Sequence, residues 1–213
     1  MKQFYFDLET QGLPADQIQK LMPAEWPTGN TKDPAKLAAA IEEKKVEWLD
    51  KTALKAITGR IVAVTSAVDD NVPEMSAQAD EKTLIQILLT ELVQVIQINA
   101  TAYAWNGHGF DLPFLCQRAA VHDLPAFSKL TTKFRGRHYW NENLVDPKLV
   151  WSNYSPDHSG SSLNSVSLAL GIGEKAGNGK DFAALLKTDP IKAKEYALMD
   201  VELLRKAVLR MGI

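Results

Sequence analysis

The sequence predicts an α/β protein with a mixed β-sheet, and three observations support this prediction. Short runs rich in β-branched and aromatic residues, at 3–9 and 60–68, are typical of strands. Longer stretches carry apolar residues at helical spacing behind capping residues such as Asp80 and Asp189. Strands come first and then alternate with helices, an order that favours α/β or α+β architecture.

The first strand is followed by a long excursion. A loop rich in Gly and Pro leads to a helix for which Asp33 is the predicted N-cap and Pro34 the first helical residue. We expect this helix to reach about Lys55 and to be stopped by Gly59. The excursion, at about 14–58, is then either an inserted helical flap or a covering helix within a single domain that spans the whole chain.

The middle of the chain predicts a hairpin, a helix and a short strand. The strand at 60–68 is expected to pair with 72–78 across an acidic turn. Asp80 caps a helix with a continuous apolar face, and 101–105 reads as a short strand. Another helix begins near Asp111, where a proline is tolerated in the first turn.

The last third predicts two helices after a further strand. The stretch 144–151 is expected to form a strand broken by Pro147. Ser162 opens a helix that glycines stop, and a long helix follows the Asp189-Pro190 pair. The glycines that follow the first of these helices lack the spacing of phosphate-binding loops and are interpreted as turns.

The balance of charges excludes an overall cationic protein. The chain has 24 Lys and Arg against 26 Asp and Glu, a net charge of −2, so a polyanionic partner must be held by a local patch or by bound metal ions. The single cysteine, Cys116, excludes an internal disulfide and a four-cysteine zinc site and favours a reducing, cytoplasmic setting. No stretch supplies the ~20 apolar residues of a membrane span, so we expect no membrane contact.

Two acidic residues on the first strand are candidate functional groups. Asp7 and Glu9 are two residues apart, so their side chains project from the same face of the sheet. Like charges side by side are costly in a half-buried strand unless a cation lies between them. A solvated strand end is the commoner explanation for an isolated pair of this kind.

Two further segments contain acidic residues that are explained either by a structural role or by a functional one. Asp111 lies between a strand and a helix, where ligand sites collect in α/β sheets, but the position also suits a helix N-cap. Tyr196 and Asp200 are four residues apart on the last helix and share one face. Spacing alone favours a surface acid for Asp200. Asp146 either lines the same cleft or ends a strand.

Together these residues resemble the three motifs of the DEDD 3′–5′ exonucleases. The likeness covers nearly the whole chain and is greatest to stand-alone relatives of the proofreading exonuclease domain of family B DNA polymerases. The tyrosine form is favoured because Glu195 stands where the other subclass has a histidine. The motifs are Asp-Leu-Glu-Thr at 7–10, Asn106-x-x-x-Phe110-Asp111 and Tyr196-x-x-x-Asp200.

The resemblance implies a ribonuclease H-like mixed sheet flanked by helices, with a helical insert after the first strand. It implies that Asp7, Glu9, Asp111 and Asp200 converge and hold two divalent cations, and hard carboxylate oxygens favour Mg²⁺ or Mn²⁺. Such a pair of ions can activate a water and stabilise a leaving oxygen, which is the two-metal mechanism. Tyr196 would orient the attacking water or the scissile phosphate rather than act as a strong base.

The implied substrate is the 3′ end of a single-stranded nucleic acid, DNA more than RNA, with a replication or repair protein as a further candidate partner. By the same resemblance, substrate contacts come from Thr10, Gly12, Leu13, Asn106 and Phe110.

A separate basic run between 129 and 140 is either a solvated loop or a patch for the substrate backbone, with interleaved aromatic residues for base stacking. Its candidate contacts are Lys133, Arg135 and Arg137.

Two other functions stay open. An endonuclease of the ribonuclease H or resolvase type would share the fold and the acids, and it would cut a circular substrate that has no end. A non-catalytic nucleic-acid-binding module would keep the scaffold, but such a module does not need four mutually repelling carboxylates.

Overall fold

The described part of the chain is an α/β structure with a mixed five-stranded sheet flanked by helices, as predicted. The strand order is β3-β2-β1-β4-β5. β1 is parallel to β4 and β4 to β5, whereas β2 and β3 are antiparallel. The strands are β1 (Gln3–Gly12), β2 (Gly59–Val68), β3 (Glu74–Ser76), β4 (Thr101–Tyr103) and β5 (Leu144–Val145).

These features come from a computed structural model, which describes residues 2–28, 33–77, 80–124, 143–155, 161–175, 177 and 179–213. By its internal contacts the chain divides into two compact units. One comprises Met1–Glu9 with Ile61–Ile213, and the other comprises Thr10–Arg60. The described helices are α1 (Ala15–Leu21), α2 (Pro34–Asp50), α3 (Glu81–Gln97), α4 (Asp111–Val121), α5 (Pro147–Trp151), α6 (Leu163–Leu170), α7 (Phe182–Thr188) and α8 (Pro190–Met211).

The central strand β1 sends its side chains alternately to two faces of the sheet. Phe4 and Phe6 stack on one face with ring centroids 5.8 Å apart. Tyr5 lies on the other face, where it stacks on Tyr103 of β4 and belongs to the apolar cluster that includes Leu204 of α8. Because side chains alternate along a strand, α8 covers the face from which the two acids of β1 project.

Helix α8 is defined at both ends by its own sequence. The Asp189 side chain accepts a hydrogen bond from the backbone N–H of Lys192, and Pro190 occupies the first turn. Gly212 ends the helix in the left-handed conformation with φ 71°. Its apolar stripe, including Val201 and Val208, is fully buried against the sheet, which fixes the rotation of the helix about its axis.

On α3 and α4 a buried ion pair joins the two helices to the sheet. Glu81 accepts from Nε and Nη2 of Arg118 at 2.8 and 2.6 Å, and from the backbone N–H of Ile61 at 2.8 Å. His122 Nε2 lies 2.8 Å from the same carboxylate. Burial alone would raise the pKa of Glu81, but these hydrogen bonds outweigh it and hold the pKa below its ordinary value.

Several element boundaries differ from the prediction. The helix that begins at Pro34 ends at Asp50 instead of about Lys55, and a 3₁₀ turn over Thr52–Leu54 follows. Gly59 begins β2 instead of ending a helix. A Cβ there would lie 3.0 Å from the carbonyl oxygens of Thr52 and Ala53, so the tight turn into β2 requires glycine.

Three short elements were also predicted wrongly or missed. The strand expected at 144–151 has two residues, after which Pro147 begins helix α5 instead of interrupting a strand. Helices α1 and α7 were not predicted. Each has seven residues, too few for a clear helical periodicity. Among the described residues, no helix has the length and apolar character needed to cross a membrane.

Candidate active site

Three of the four predicted acids meet on the α8 side of the sheet. Asp7, Glu9 and Asp200 each place a carboxylate oxygen within 4.8 Å of the other two. Glu9 and Asp200 are buried, with 6% and 3% of their surface exposed, and Asp7 is half-buried. The surface position that spacing alone favoured for Asp200 is therefore wrong, because the apolar stripe of α8 turns this acid inward.

The fourth acid, Asp111, reaches the site from the start of α4. Its Oδ1 accepts a hydrogen bond from the backbone N–H of Leu8 at 3.2 Å, at the point of β1 between Asp7 and Glu9. Asp111 is the first helical residue and Phe110 holds the N-cap position, so the alternative role of Asp111 as an N-cap is excluded. The carboxylate is 1% exposed.

Strand lengths explain why these acids can meet. The parallel pairing of β1 and β4 is Gln3 with Thr101, Phe4 with Ala102 and Tyr5 with Tyr103. β4 ends there, whereas β1 continues, so Asp7 and Glu9 lie beyond the carboxyl end of the neighbouring strand. The chain that leaves β4 turns at this edge and enters α4, which brings Asp111 against β1.

Burial raises the pKa of all four carboxyls, and repulsion from neighbouring carboxylates adds to this effect at Asp7, Glu9 and Asp111. Burial and the nearby charge of Asp200 raise the pKa of Asp7 to about 7. Burial, followed by the charge of Asp7, raises the pKa values of Glu9 and Asp111 well above their ordinary values. Burial also raises the pKa of Asp200, against the opposing effect of Lys175. Ionised carboxylates in this position need positive charge beside them.

Lys175 supplies positive charge, and sequence reasoning missed it. Its Nζ forms an ion pair with Asp200 Oδ2 and lies 5.3 Å from the centre of the Tyr196 ring. The backbone N–H of Lys175 donates to Oδ1 of Asn164 at 2.8 Å, which ties this segment to the start of α6. Nothing in the local sequence distinguishes Lys175 from a surface lysine, because its partner is 25 residues away.

Tyr196 lies one helical turn before Asp200 on α8, close enough for the charge of that carboxylate to act on its hydroxyl. Burial, then the charges of Asp200 and Glu9, raise the pKa of the Tyr196 hydroxyl above its ordinary value. Tyr196 therefore remains a neutral phenol at any physiological pH, with an O–H that can donate a hydrogen bond.

Two glycines allow the chain to pass close to this side chain. A Cβ on Gly179 would lie 3.4 Å from the Tyr196 hydroxyl and 4.0 Å from Oε2 of Glu9. A Cβ on Gly177 would lie 3.4 Å from Cδ2 of the same ring. The sequence predicts only turns at these glycines, and the structure places Gly177 and Gly179 beside Tyr196, with Gly179 also near Glu9.

The predicted substrate contacts are placed as follows. Asn106 lies in the turn before α4 with a left-handed backbone, φ 65°, and Phe110 is half-buried against Phe114 at 5.3 Å between ring centres. Thr10, Gly12 and Leu13 are half-buried residues of the unit Thr10–Arg60.

Within that unit, a Cβ on Gly12 would lie 2.7 Å from Oγ1 of Thr52, which is a packing reason for glycine at this position. The basic run with Lys133, Arg135 and Arg137 lies outside the described residues.

The acid cluster fits divalent cations. It offers only carboxylate oxygens, which Mg²⁺ and Mn²⁺ prefer. The Oδ1 atom of Asp200 is buried and has no hydrogen-bond partner among the described residues, as expected for an oxygen that faces a metal ion. Asp7, Glu9 and Asp200 would provide the ligands, with Asp111 beside them.

A mixed sheet with acids on its central strand and on the helix that covers it defines an acidic site on a ribonuclease H-like fold. The chain belongs to the family described as a predicted 3′–5′ exonuclease related to the exonuclease domain of PolB, whose model matches residues 46–202. A search of curated protein sequences finds no match.

A solved structure supports the fold independently. The family B DNA polymerase from the hyperthermophilic archaeon Pyrobaculum calidifontis is similar to this chain with a TM-score of 0.63 and 13% sequence identity. The match covers 100% of this chain and 24% of the polymerase chain. At this identity the likeness shows the fold alone, and it confirms the predicted ribonuclease H-like class.

Proposed function

We propose that this protein is a metal-dependent 3′–5′ exonuclease of the tyrosine form, which hydrolyses phosphodiester bonds at the 3′ end of single-stranded nucleic acid, DNA more than RNA. The observation that carries the proposal is the convergence of Asp7, Glu9 and Asp200, with Asp111 hydrogen-bonded between the first two. Membership of a family of predicted 3′–5′ exonucleases supports the same reaction.

The acids act as ligands and not as acid–base groups. Asp7, Glu9 and Asp200 would hold two divalent cations, Mg²⁺ or Mn²⁺, with Asp111 completing the set. When bound, these ions supply activation of the attacking water and charge stabilisation of the leaving 3′ oxygen. Four carboxylates and one ammonium leave the metal-free site with excess negative charge when all are ionised, which repels a phosphodiester until cations are present.

Tyr196 positions reacting groups through its O–H. Because its pKa is raised, the hydroxyl keeps its proton and can donate to a water or a phosphate oxygen. The ring is fixed between Phe182, 6.0 Å away between centres, and the Lys175 ammonium. A side chain held on both sides loses little freedom when substrate arrives.

The test is digestion of a 5′-labelled single-stranded oligonucleotide with Mg²⁺, with Mn²⁺ and with EDTA. We expect a ladder that shortens from the 3′ end with either metal and no cleavage in EDTA. Asp200→Asn should abolish the ladder, whereas Glu195→Gln, an exposed acid on the same helix, should not. Parallel reactions on RNA and on duplex DNA rank the substrates.

A circular single strand separates the alternatives. An exonuclease leaves the circle intact, so cleavage of the circle would replace the proposal by an endonuclease. Binding of the linear strand without cleavage under any metal condition would instead indicate a non-catalytic module.

A further inference from the structure

The turn between β4 and α4 is held in one shape by a buried carboxylate outside the acid cluster. Asp146, 3% exposed, accepts the backbone N–H of Asn106 at 2.9 Å on Oδ1 and that of His108 at 3.1 Å on Oδ2. Asn106 has a left-handed backbone with φ 65°. Since the N–H groups of Asn106 and His108 meet different oxygens of one buried carboxylate, the backbone from which the Asn106 side chain projects is held in place.

The side-chain amide of Asn106 is held by Lys148, a residue that also bonds Asp146. Lys148 Nζ donates to Oδ1 of Asn106 at 3.1 Å. Lys148 is in the first turn of α5, and its backbone N–H donates to Oδ1 of Asp146 at 3.1 Å. A Cβ on Gly109 would lie 2.7 Å from Asn106 Oδ1, so this glycine leaves the space that the amide occupies.

The donor identifies which end of the amide faces Lys148. An ammonium has three donors and no acceptor, so only the oxygen of Asn106 can face Lys148. The NH₂ group, with its two donors, is then left for another partner. Asn106 is half-buried and stands five residues before Asp111 in a turn that runs directly into α4.

We propose that Lys148 is a positioning residue for substrate binding. It holds the Asn106 amide with its NH₂ group toward the nucleic-acid strand, where that group donates to an acceptor oxygen of the strand. Lys148 acts through Asn106 and does not contact the strand itself. This inference rests on the proposed nuclease function, because the ligand of Asn106 is the substrate of that reaction.

The test is binding of a fluorescent single-stranded DNA oligonucleotide, measured by anisotropy with Mg²⁺ present to offset the charge of the acids. Phosphorothioate linkages at the 3′ end of the oligonucleotide keep cleavage from interfering. Lys148→Met should weaken binding about tenfold, the usual effect of losing one hydrogen bond to a charged acceptor. Lys148→Arg should restore it, since guanidinium also only donates. Lys82→Met, which removes an exposed lysine on α3, is the matched control and should bind as the wild type does.

A double-variant comparison distinguishes positioning from direct contact. In an Asn106→Ala background, Lys148→Met should have no further effect, and the dependence of binding on salt should be unchanged. A lysine that neutralises a phosphate would instead reduce the slope of log K against log salt by about 0.7 in any background, and that result would overturn the proposal.

If Lys148→Met does not fold, the variant Asn106→Asp provides a second test of the proposal. It keeps a partner for Lys148 but removes both donors, and it should weaken binding as much as Asn106→Ala does. If the wild type binds normally, and either Asn106→Asp or a folded Lys148→Met variant binds with the same affinity, this inference alone is overturned. Failure of the wild type to bind any single strand would overturn the proposed function as well.

Discussion

Replacing Asp7 by Asn should stabilise the metal-free protein while it removes the proposed activity. The pKa of Asp7 is raised to about 7 by burial and by the charge of Asp200. A folded-state pKa above the unfolded value means that the folded protein binds the proton more tightly. The stabilisation of the folded state by protonation of Asp7 is fully present below the unfolded pKa. It is lost as the pH rises through about 7.

The magnitude follows from the size of the shift. Moving a pKa from 3.8 to about 7 corresponds to about 4 kcal/mol as an upper bound at pH 8. Asp7 is half-buried, so solvent screens part of this penalty and about 1–3 kcal/mol is expected. For a chain of this length that corresponds to a rise of about 3–9 °C in Tm.

The assay is thermal unfolding of both proteins in EDTA between pH 5.5 and 8.5. The advantage of Asp7→Asn should be largest at pH 8 and should shrink toward pH 5.5, where Asp7 of the wild type is protonated. Mg²⁺ or Mn²⁺ should raise the Tm of the wild type and leave the variant nearly unchanged. Asp16→Asn, an exposed carboxylate in α1, serves as control. A variant no more stable than the wild type at pH 8 would refute the electrostatic reasoning.

Three further changes test other parts of the structure. Lys175→Met should lower the Tm of the metal-free protein at pH 8 and tighten Mn²⁺ binding about three- to tenfold, because one ammonium no longer competes for Asp200; weaker Mn²⁺ binding in calorimetry would contradict this. Tyr196→Phe should slow single-turnover cleavage about 10- to 100-fold and leave Mn²⁺ affinity unchanged, and a loss as large as that of Asp7→Asn would argue for a role beyond positioning. Glu81→Gln should cost about 3 kcal/mol in urea unfolding because it leaves the Arg118 charge buried without its partner. The double variant Glu81→Met with Arg118→Met should cost less than Glu81→Gln, and an equal or larger cost would show that packing, not charge, dominates there.

The sequence was sufficient to predict the sheet and the positions of the acids along the chain. Alternation along β1 places Asp7 and Glu9 on one face, and Tyr196 and Asp200 share one face of α8 by helical spacing. Caps at Asp80, Ser162 and Asp189 also act as predicted, since each side chain accepts a backbone N–H of its helix. These signals are local and depend only on neighbouring residues.

Features that depend on distant parts of the chain could not be predicted. Lys175 enters the acid cluster because Asn164 holds its backbone and Asp200 attracts its ammonium. Asp146 organises a turn about 40 residues away, whereas its sequence position suggested only that it lines the cleft or ends a strand. Glu81 was part of a predicted helix with nothing to mark its partner Arg118. In each case the interaction depends on tertiary packing, for which local spacing holds no information.

Calorimetric titration of Mn²⁺ into the metal-free protein tests most directly whether the four acids form one cation site. We expect two ions per chain for the wild type and for Glu195→Gln, and a loss of binding for Asp7→Asn and Asp200→Asn. Wild-type protein that takes up no Mn²⁺, or an Asp200→Asn variant that binds it as the wild type does, would contradict the account.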